Sequence, residues 1–506
     1  MAKIFLSFFN GIQNYGESNK IPGFYESFID GLKDFGNDVF GYYDYVWHKE
    51  FKEIPEELLK EIKDFNPDII IVFNNYFYDV SKCFECPIII FEVDSPLYLY
   101  NKDKIVSKLN RYKFFVCQTE SMEYISNVIG VSKKNIVIVP FFTEVKTKNI
   151  PQVDNISFIG TFFHYGNFVN EFMLNNPEKE DINQLQKVIE HVSRNPFITE
   201  KDIIGKLNIT SNKVKKYLDI TQIIGFLSSK NRIKTLSAVA DLGLKLYGTK
   251  TWLTEFNFYP EIAFSYDTKR ICSTEEQEEV YNSSKLSISI SHIQAQSGFP
   301  WRICDIMASN SCLVSDYHLG FESTFPGLKI PTFNNPYEAR EVCKNLLQEK
   351  NMREDIVLSC QEVINKKFRF KNLLNIMESF LDIKLKKEKE GTIRILSNIE
   401  WLQQQNLKLE KAVRLTIQDR ISMSIDMLLG RIERNPKILQ NLQNLQNNGR
   451  IIYENVNPIR SLKIKNRIKI FGYSFLLILG QIPIIDLFIN REIREKLYEK
   501  IKKYCR

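Results

Sequence analysis

The chain has 506 residues, 44% of them hydrophobic, which is enough to bury two sizeable cores and still leave a tail. Its net charge of +7 is uneven: residues 458–506 hold 12 Lys and Arg against 4 Asp and Glu, so the remainder is close to neutral. Nine cysteines without framework spacing argue against a disulfide-stapled secreted module and fit a reducing, cytoplasmic compartment.

In chain order, the apolar run at 4–9 is too short for an export core and no small-residue cleavage site follows it, so it reads as a first strand. Further β-rich runs at 69–73, 88–91, 114–117 and 136–139 alternate with amphipathic stretches at 24–35 and 55–65, the second opened by Pro55. That alternation predicts a Rossmann-like domain over residues 1–145, with a parallel sheet and crossover helices. The lone pair Cys83-Phe-Glu-Cys86 lacks the second pair of a tetrahedral zinc site and reads as a strand edge with buried thiols. Two prolines and a polar run make 140–151 a connector.

A second parallel sheet is predicted within 152–383, with strands at 156–160, 244–247, 286–290 and 313–315 and helices at 274–283, 301–308, 336–348 and 352–365. The two domains would face each other across a cleft. Residues 166–230 interrupt the second domain as a helical insertion. Within it, 199–217 imitates a helix-turn-helix, with Ile203 and Leu207 on one face and Lys213, Lys215 and Lys216 on the other helix. No second basic cluster lies beside it, so packing or acceptor contact is the expected role and nucleic acid an unlikely partner.

From 384 to 506 the pattern reads as a helical, basic extension. Ile395, Ile399, Leu402, Leu409 and Val413 follow heptad-like spacing, with Asn406 on the seam, so 395–413 could dimerise the chain or pack back on its own domain. The tract 439–448 is rich in Gln and Asn. Residues 470–485 carry no charge but contain Gly472, Gly480 and Pro483, and are shorter than the roughly 20 residues of a spanning helix. With the basic residues of 458–506, this predicts peripheral attachment to an anionic membrane surface.

The most chemical stretch is Gly298-Phe-Pro-Trp-Arg302-Ile-Cys-Asp305, a glycine loop feeding a helix ahead of the strand that begins at Cys312. A nucleotide-sugar donor carries a diphosphate whose negative charge grows as the glycosidic bond breaks, which calls for fixed cations and backbone donors. Arg302 answers that need, Gly298 would let the backbone approach the phosphates, and Asp305 could address a ribose or sugar hydroxyl. The bland alternative is an Arg–Asp pair on a helix surface. Arg232, in a helix that Ser228 or Ser229 could cap, is a second cation. Gly160, Thr161 and Gly248 end strands at the cleft floor, His292 and Gln296 flank the next loop, and Ile271 is placed against the base. A catalytic base should come from strand ends of the first domain, with Asp94 the first choice and Glu17 the second. Polar residues after strands also cap turns without any catalytic part.

These motifs carry a resemblance. Residues 155–380, with Phe-Ile-Gly160, Asn-Arg232, Leu-Tyr-Gly248, Val-Tyr281-Asn-Ser-Ser and Arg302-Ile-Cys-Asp305, resemble the carboxyl-terminal half of GT-B glycosyltransferases, in particular CgeB-type and family 1-like members. Asp305 stands where that family usually has Glu, and Asn310 near where it has Gly. The resemblance implies an α/β GT-B fold and metal-independent transfer of a sugar from a nucleotide donor to an acceptor bound by the first domain. The sequence has no Asp-x-Asp triplet, the diphosphate–metal motif of the other common glycosyltransferase fold. Together with the tail it suggests a bacterial enzyme of lipopolysaccharide or capsule biosynthesis, peripheral on the inner face of the cytoplasmic membrane. A nucleic-acid-binding regulator using 199–217 and a catalytically inactive glycan-binding scaffold are the alternatives.

Overall fold

The structure is a computed structural model and describes residues 2–10, 21–44, 53–99, 101–162 and 167–397. Glu17, most of the 395–413 seam, the Gln-rich tract and the basic tail lie outside the described residues.

The first domain holds β1 (Lys3–Phe9), β2 (Asp38–Asp44), β3 (Ile69–Phe73), β4 (Ile88–Glu92), β5 (Tyr112–Val116) and β6 (Ile136–Ile138). The second holds β7 (Asp154–Ile159), β8 (Leu244–Tyr247), β9 (Ser284–Ser289), β10 (Cys312–Asp316) and β11 (Thr332–Phe333). A last strand, β12 (Ile393–Ser397), returns to the first sheet. The sheet orders are β12-β2-β1-β3-β4-β5-β6 and β11-β10-β9-β7-β8, with every pairing parallel. β3 and β4 are buried at every position, as expected where helices cover both faces of a parallel sheet.

Helices α1 (Gly23–Asp34), α2 (Glu56–Phe65), α3 (Lys102–Val106) and α4 (Thr119–Tyr124) belong to the first domain. The insertion folds as α5 (Asn167–Leu174), α6 (Lys179–Arg194), α7 (Glu200–Lys206) and α8 (Asn212–Tyr217), running into the long α9 (Ile220–Val239). Then come α10 (Pro260–Ser265), α11 (Thr274–Ser283), α12 (Arg302–Ala308), α13 (Phe321–Thr324), α14 (Pro336–Gln348), α15 (Lys350–Lys367) and α16 (Phe370–Leu381). Local chemistry sets several of the starts. Ser273 and Glu276 form a capping box on α11, and Asn335 caps α14 ahead of Pro336.

The insertion has its own core, in which Ile203 and Val214 of the helix-turn-helix-like segment are fully buried. Lys213 is tied down there, 3.4 Å from Asp181 and donating to the Asn176 carbonyl. The segment is therefore a packing unit, and of the three lysines on its second helix Lys215 and Lys216 are exposed while Lys213 is partly covered. The insertion also touches the first domain, where Leu97 packs against its core and Tyr98 Oη donates to the Thr221 carbonyl.

Two expectations fail. The first is the boundary at residue 383: α16 leaves the second domain and lays Phe370 on Phe28 and Phe142, ring centroids 5.5 and 5.1 Å apart. The second is an extension helical from residue 384, with Ile395 on its seam. Ile395 instead belongs to β12, opposite Gly41 of β2, because the β-branched run Ile-Arg-Ile pairs an edge that would otherwise expose a row of backbone donors and acceptors. The strand at 38–44 was also unforeseen, its apolar run being broken by Gly41 and flanked by aspartates.

In both sheets the chain reverses its winding direction next to the first strand, between β1 and β3 and between β7 and β9. Ligands of open α/β sheets bind at such switch points, outside the carboxyl ends of the strands. The connector at 140–151 and the return crossing at Phe368–Phe370 run together between the domains. Thr143 N donates to the Phe368 carbonyl, and Arg369 donates to the Thr143 and Val145 carbonyls. Replacing Phe370 with Ala should destabilise the protein by about 3–5 kcal/mol in urea unfolding; a loss below about 1 kcal/mol would show that the crossing does not hold the domains together.

Candidate active site

The second switch point gathers cations around one ring. Phe158, buried near the end of β7, has the Arg302 guanidinium 5.3 Å and the Arg232 guanidinium 5.8 Å from its centroid. Arg232 comes from the middle of α9 and is buried, its Nε donating to the Ile290 carbonyl and its Nη1 to the Thr161 carbonyl at 2.7 Å. Arg302 opens α12. Its Nη1 is buried and has no hydrogen-bond partner among the described residues. Burial draws the Arg302 pKa down, against the pull of Tyr281, Asp316 and Asp305. His292, just beyond β9, is held well below the ordinary imidazole value, first by burial and then by Arg232 and Arg302, so it is neutral at physiological pH.

Backbone forms the other wall. A Cβ at Gly160 would meet the Phe158 ring and come within 3.3 Å of Arg302 Nη1, so the main chain itself approaches the guanidinium. The Gly160 carbonyl accepts from Trp252 Nε1 at 3.0 Å, and Gly248 packs so closely on it that a Cβ there would lie 1.9 Å from that oxygen. Gly160, Thr161, Gly248, Arg232, His292 and Arg302 thus come together. A buried guanidinium nitrogen without a partner, beside a second arginine and a neutral imidazole, is chemically suited to an anion.

The remaining donor-side residues lie elsewhere. Gly298 is closed against the first domain: its amide donates to Gln118 Oε1, and a Cβ would stand 2.9 Å from Gln118 Cβ. Its missing side chain serves the approach of the two domains rather than of a phosphate. Gln296 turns its side chain back onto the Ile293 carbonyl at 2.7 Å. Asp305 is buried between α12, α1 and the connector, beside Thr143, and borders a cavity of about 10 Å³ that is no larger than one water. Ile271 precedes Cys272, whose carbonyl accepts from the Gly23 amide of α1 at 2.8 Å, so it too sits near the domain boundary.

On the facing domain, Asp94 follows β4 and is exposed, although protein surrounds it on most sides and raises its carboxyl pKa. Asn74 Nδ2 donates to Asp94 Oδ2 at 2.6 Å while Asn74 Oδ1 accepts from the Val93 amide, which fixes the carboxylate. Asn74 and Asn75 both hold left-handed backbone, a conformation tolerated by Asn and uncommon for two residues in succession. Glu92, two residues earlier, is buried and pushed up to about 8 by desolvation. Cys117, at the end of β5, lies within the electrostatic reach of both Asp94 and Cys304 of α12, so the candidate base and the Arg302 helix flank one residue. The eight described cysteines are all free, Cys83 and Cys86 among them, half-buried ahead of β4.

Sequence reasoning did not find Asn74, Gln118, Asp316 or His318. Asp316 ends β10 and takes the Ser291 amide at 2.9 Å, while His318 Nε2 lies 2.8 Å from Ser291 Oγ, so the pair anchors the start of the His292 loop. The signal was available, because each of Asn74, Gln118 and Asp316 is a polar residue at a strand end, the criterion that picked out Asp94.

Residues 230–379 match the family model described as glycosyl transferase-like. That match covers less than a third of the chain, the stretch from α9 to α16 that carries Arg232 and Arg302. The chain's two parallel α/β sheets are the arrangement that the resemblance to GT-B enzymes implies. Among solved structures it is similar to sucrose-phosphate synthase from Thermosynechococcus elongatus (TM-score 0.47, 10% identity, 76% of this chain and 98% of that one). It is also similar to a glycosyltransferase from Rickettsia africae (TM-score 0.44, 10% identity, 76% of this chain and 99% of that one). HepE of Anabaena, solved with UDP-glucose, gives a TM-score of 0.45 at 10% identity, over 76% of this chain and 100% of that one. No curated protein matches the sequence.

Desolvation raises Asp305 to about 7, with Thr143, Arg302 and Arg369 acting against it. The folded protein keeps that proton up to about pH 7 while an unfolded aspartate releases it near about pH 4, so Asp305 makes stability fall as pH rises through that window. The variant Asp305→Asn should therefore gain melting temperature relative to the wild type as pH rises from 5 to 8. A difference that stays constant across that range would contradict the assignment.

Proposed function

We propose that this glycosyltransferase uses a nucleotide-sugar donor, with the donor diphosphate bound at the Arg302–Arg232–His292 cradle and the acceptor on the first domain. The observation that carries this reading is the buried, unpartnered Arg302 Nη1 at the second switch point, beside a second arginine. In the reaction the bond between the anomeric carbon and the phosphate oxygen breaks, the nucleoside diphosphate leaves with added negative charge, and an acceptor hydroxyl takes its place on the sugar. Arg302 and Arg232 would stabilise the leaving charge, and neutral His292 would donate a hydrogen bond to the phosphate or sugar. Charge neutralisation by two arginines supports a reaction that needs no metal. Asp94, fixed by Asn74 and raised in pKa, is the group best suited to receive the acceptor proton.

For the acceptor we propose a cell-envelope glycan or glycolipid of the lipopolysaccharide or capsule kind, reached by peripheral attachment to the inner face of a bacterial cytoplasmic membrane. The resemblance to CgeB-type transferases and the basic, partly apolar run of 458–506 support this. Among the described residues no helix is long and apolar enough to cross a membrane.

Nucleotide release from UDP-, GDP-, CMP- and CDP-linked sugars, measured with envelope extracts as acceptor, tests the reaction. One donor class should be consumed, Arg302→Ala should lower kcat by about 10²–10³-fold, and Asp94→Asn by about 10²-fold or more. No release from any of the four classes would remove the basis of the proposal. Deleting residues 458–506 should move the protein from the membrane to the soluble fraction without reducing donor hydrolysis, and unchanged fractionation would refute the attachment.

A further inference from the structure

The loop between β9 and α12 carries His292 and leads into Arg302. The donor domain holds its first half: the Ile290 carbonyl accepts from Arg232, the Ser291 amide donates to Asp316, and the Ile293 amide donates to Ser228 Oγ. Its second half is held by the other domain. Gln118 Oε1 accepts from the Gln296 amide at 3.0 Å and the Gly298 amide at 3.3 Å, while Gln118 Nε2 donates to the Gln294 carbonyl at 3.1 Å. Next to it, Glu120 accepts from the Ser297 amide and hydroxyl, and the Thr119 amide donates to Ser297 Oγ at 3.2 Å.

Three features set Gln118 apart from ordinary boundary packing. It is the N-cap residue of α4, yet its side chain makes no capping bond to the helix backbone: it reaches Ser121 Oγ at 3.3 Å and otherwise crosses the boundary. It is 6% exposed, so water does not compete for its amide. The contact also requires glycine opposite, because a Cβ at Gly298 would collide with Gln118 Cβ.

We infer that Gln118 is a positioning residue for the donor site: from the acceptor domain, it sets the loop that places His292 and Arg302. The inference rests on the donor reading proposed above. Its consequence is that nucleotide affinity depends on the two domains being in contact, and an open form, lacking these three bonds, binds nucleotide more weakly. Three buried hydrogen bonds are lost together in Gln118→Ala, so the nucleotide Kd should rise about tenfold or more.

The test uses the full chain and titrates UDP, GDP, CMP and CDP, following thermal stabilisation and calorimetric heat. Gln118→Ala should weaken binding of whichever nucleotide stabilises the wild type, while its melting temperature without nucleotide stays within a few degrees. Gln118→Glu, which keeps the acceptor for Gln296 and Gly298 but offers no proton to the Gln294 carbonyl, should fall between the two. If Gln118→Ala does not fold, Gln118→Glu and Ser297→Ala carry the same expectation. A lowered melting temperature with unchanged nucleotide Kd would overturn the positioning role and leave the donor reading standing. Failure of all four nucleotides to bind the wild type would overturn the donor reading and this role with it.

Discussion

A guanidinium nitrogen buried without a hydrogen-bond partner among the described residues is the constraint around which this site is arranged. Arg302 Nη1 lies out of water, against the main chain at Gly160 and the face of Phe158. Burying such a group costs several kcal/mol unless an anion compensates it, so the fold must hold it in place by other means. It does so with α12, whose residues from Ile303 to Ala308 are all buried, and with the ring that Arg302 shares with Arg232. The cradle is thus built in advance of any ligand, as the proposed stabilisation of a leaving group requires.

The two domains meet through contacts of different character. The apolar part is aromatic: Trp301 stacks on Phe24 at 4.8 Å, and Phe370 packs among Phe28 and Phe142. The polar part is directional, with Glu26 accepting from the Thr274 amide on one side and Gln118 and Glu120 gripping residues 294–298 on the other. Stacked rings tolerate sliding, whereas hydrogen bonds with fixed geometry do not. The polar edge therefore fixes the register of the two domains, and the aromatic crossing at Phe370 supplies their apolar contact.

Much of the architecture was legible in the amino-acid order. Continuous apolar runs such as Ile69–Phe73 and Ile88–Glu92 mark doubly covered parallel strands, polar residues just after strands marked Asp94 and His292, and a glycine loop opening a helix marked Arg302. β2 escaped because Gly41 interrupts its pattern, and β12 because three alternating residues suit a helix as well as a strand. Gly298 was legible as a glycine that some group must approach, but that group is Gln118, 180 positions away in the chain. Asp305 was legible as a chemically active residue of α12, whereas its surroundings at the connector were not.

The sequence by itself determined the two parallel α/β layers, the helical insertion and the residue types available at each strand end, because hydrophobic periodicity and strand-end polarity are local properties. Tertiary structure alone decided which of those residues share a site. Arg232 and Arg302 converge on Phe158 only because β7 and β9 are neighbours in the sheet, and Gln118 reaches the donor loop only because the domains face each other. Proximity across 70 to 180 residues depends on strand order and domain apposition, which no local pattern in the chain encodes.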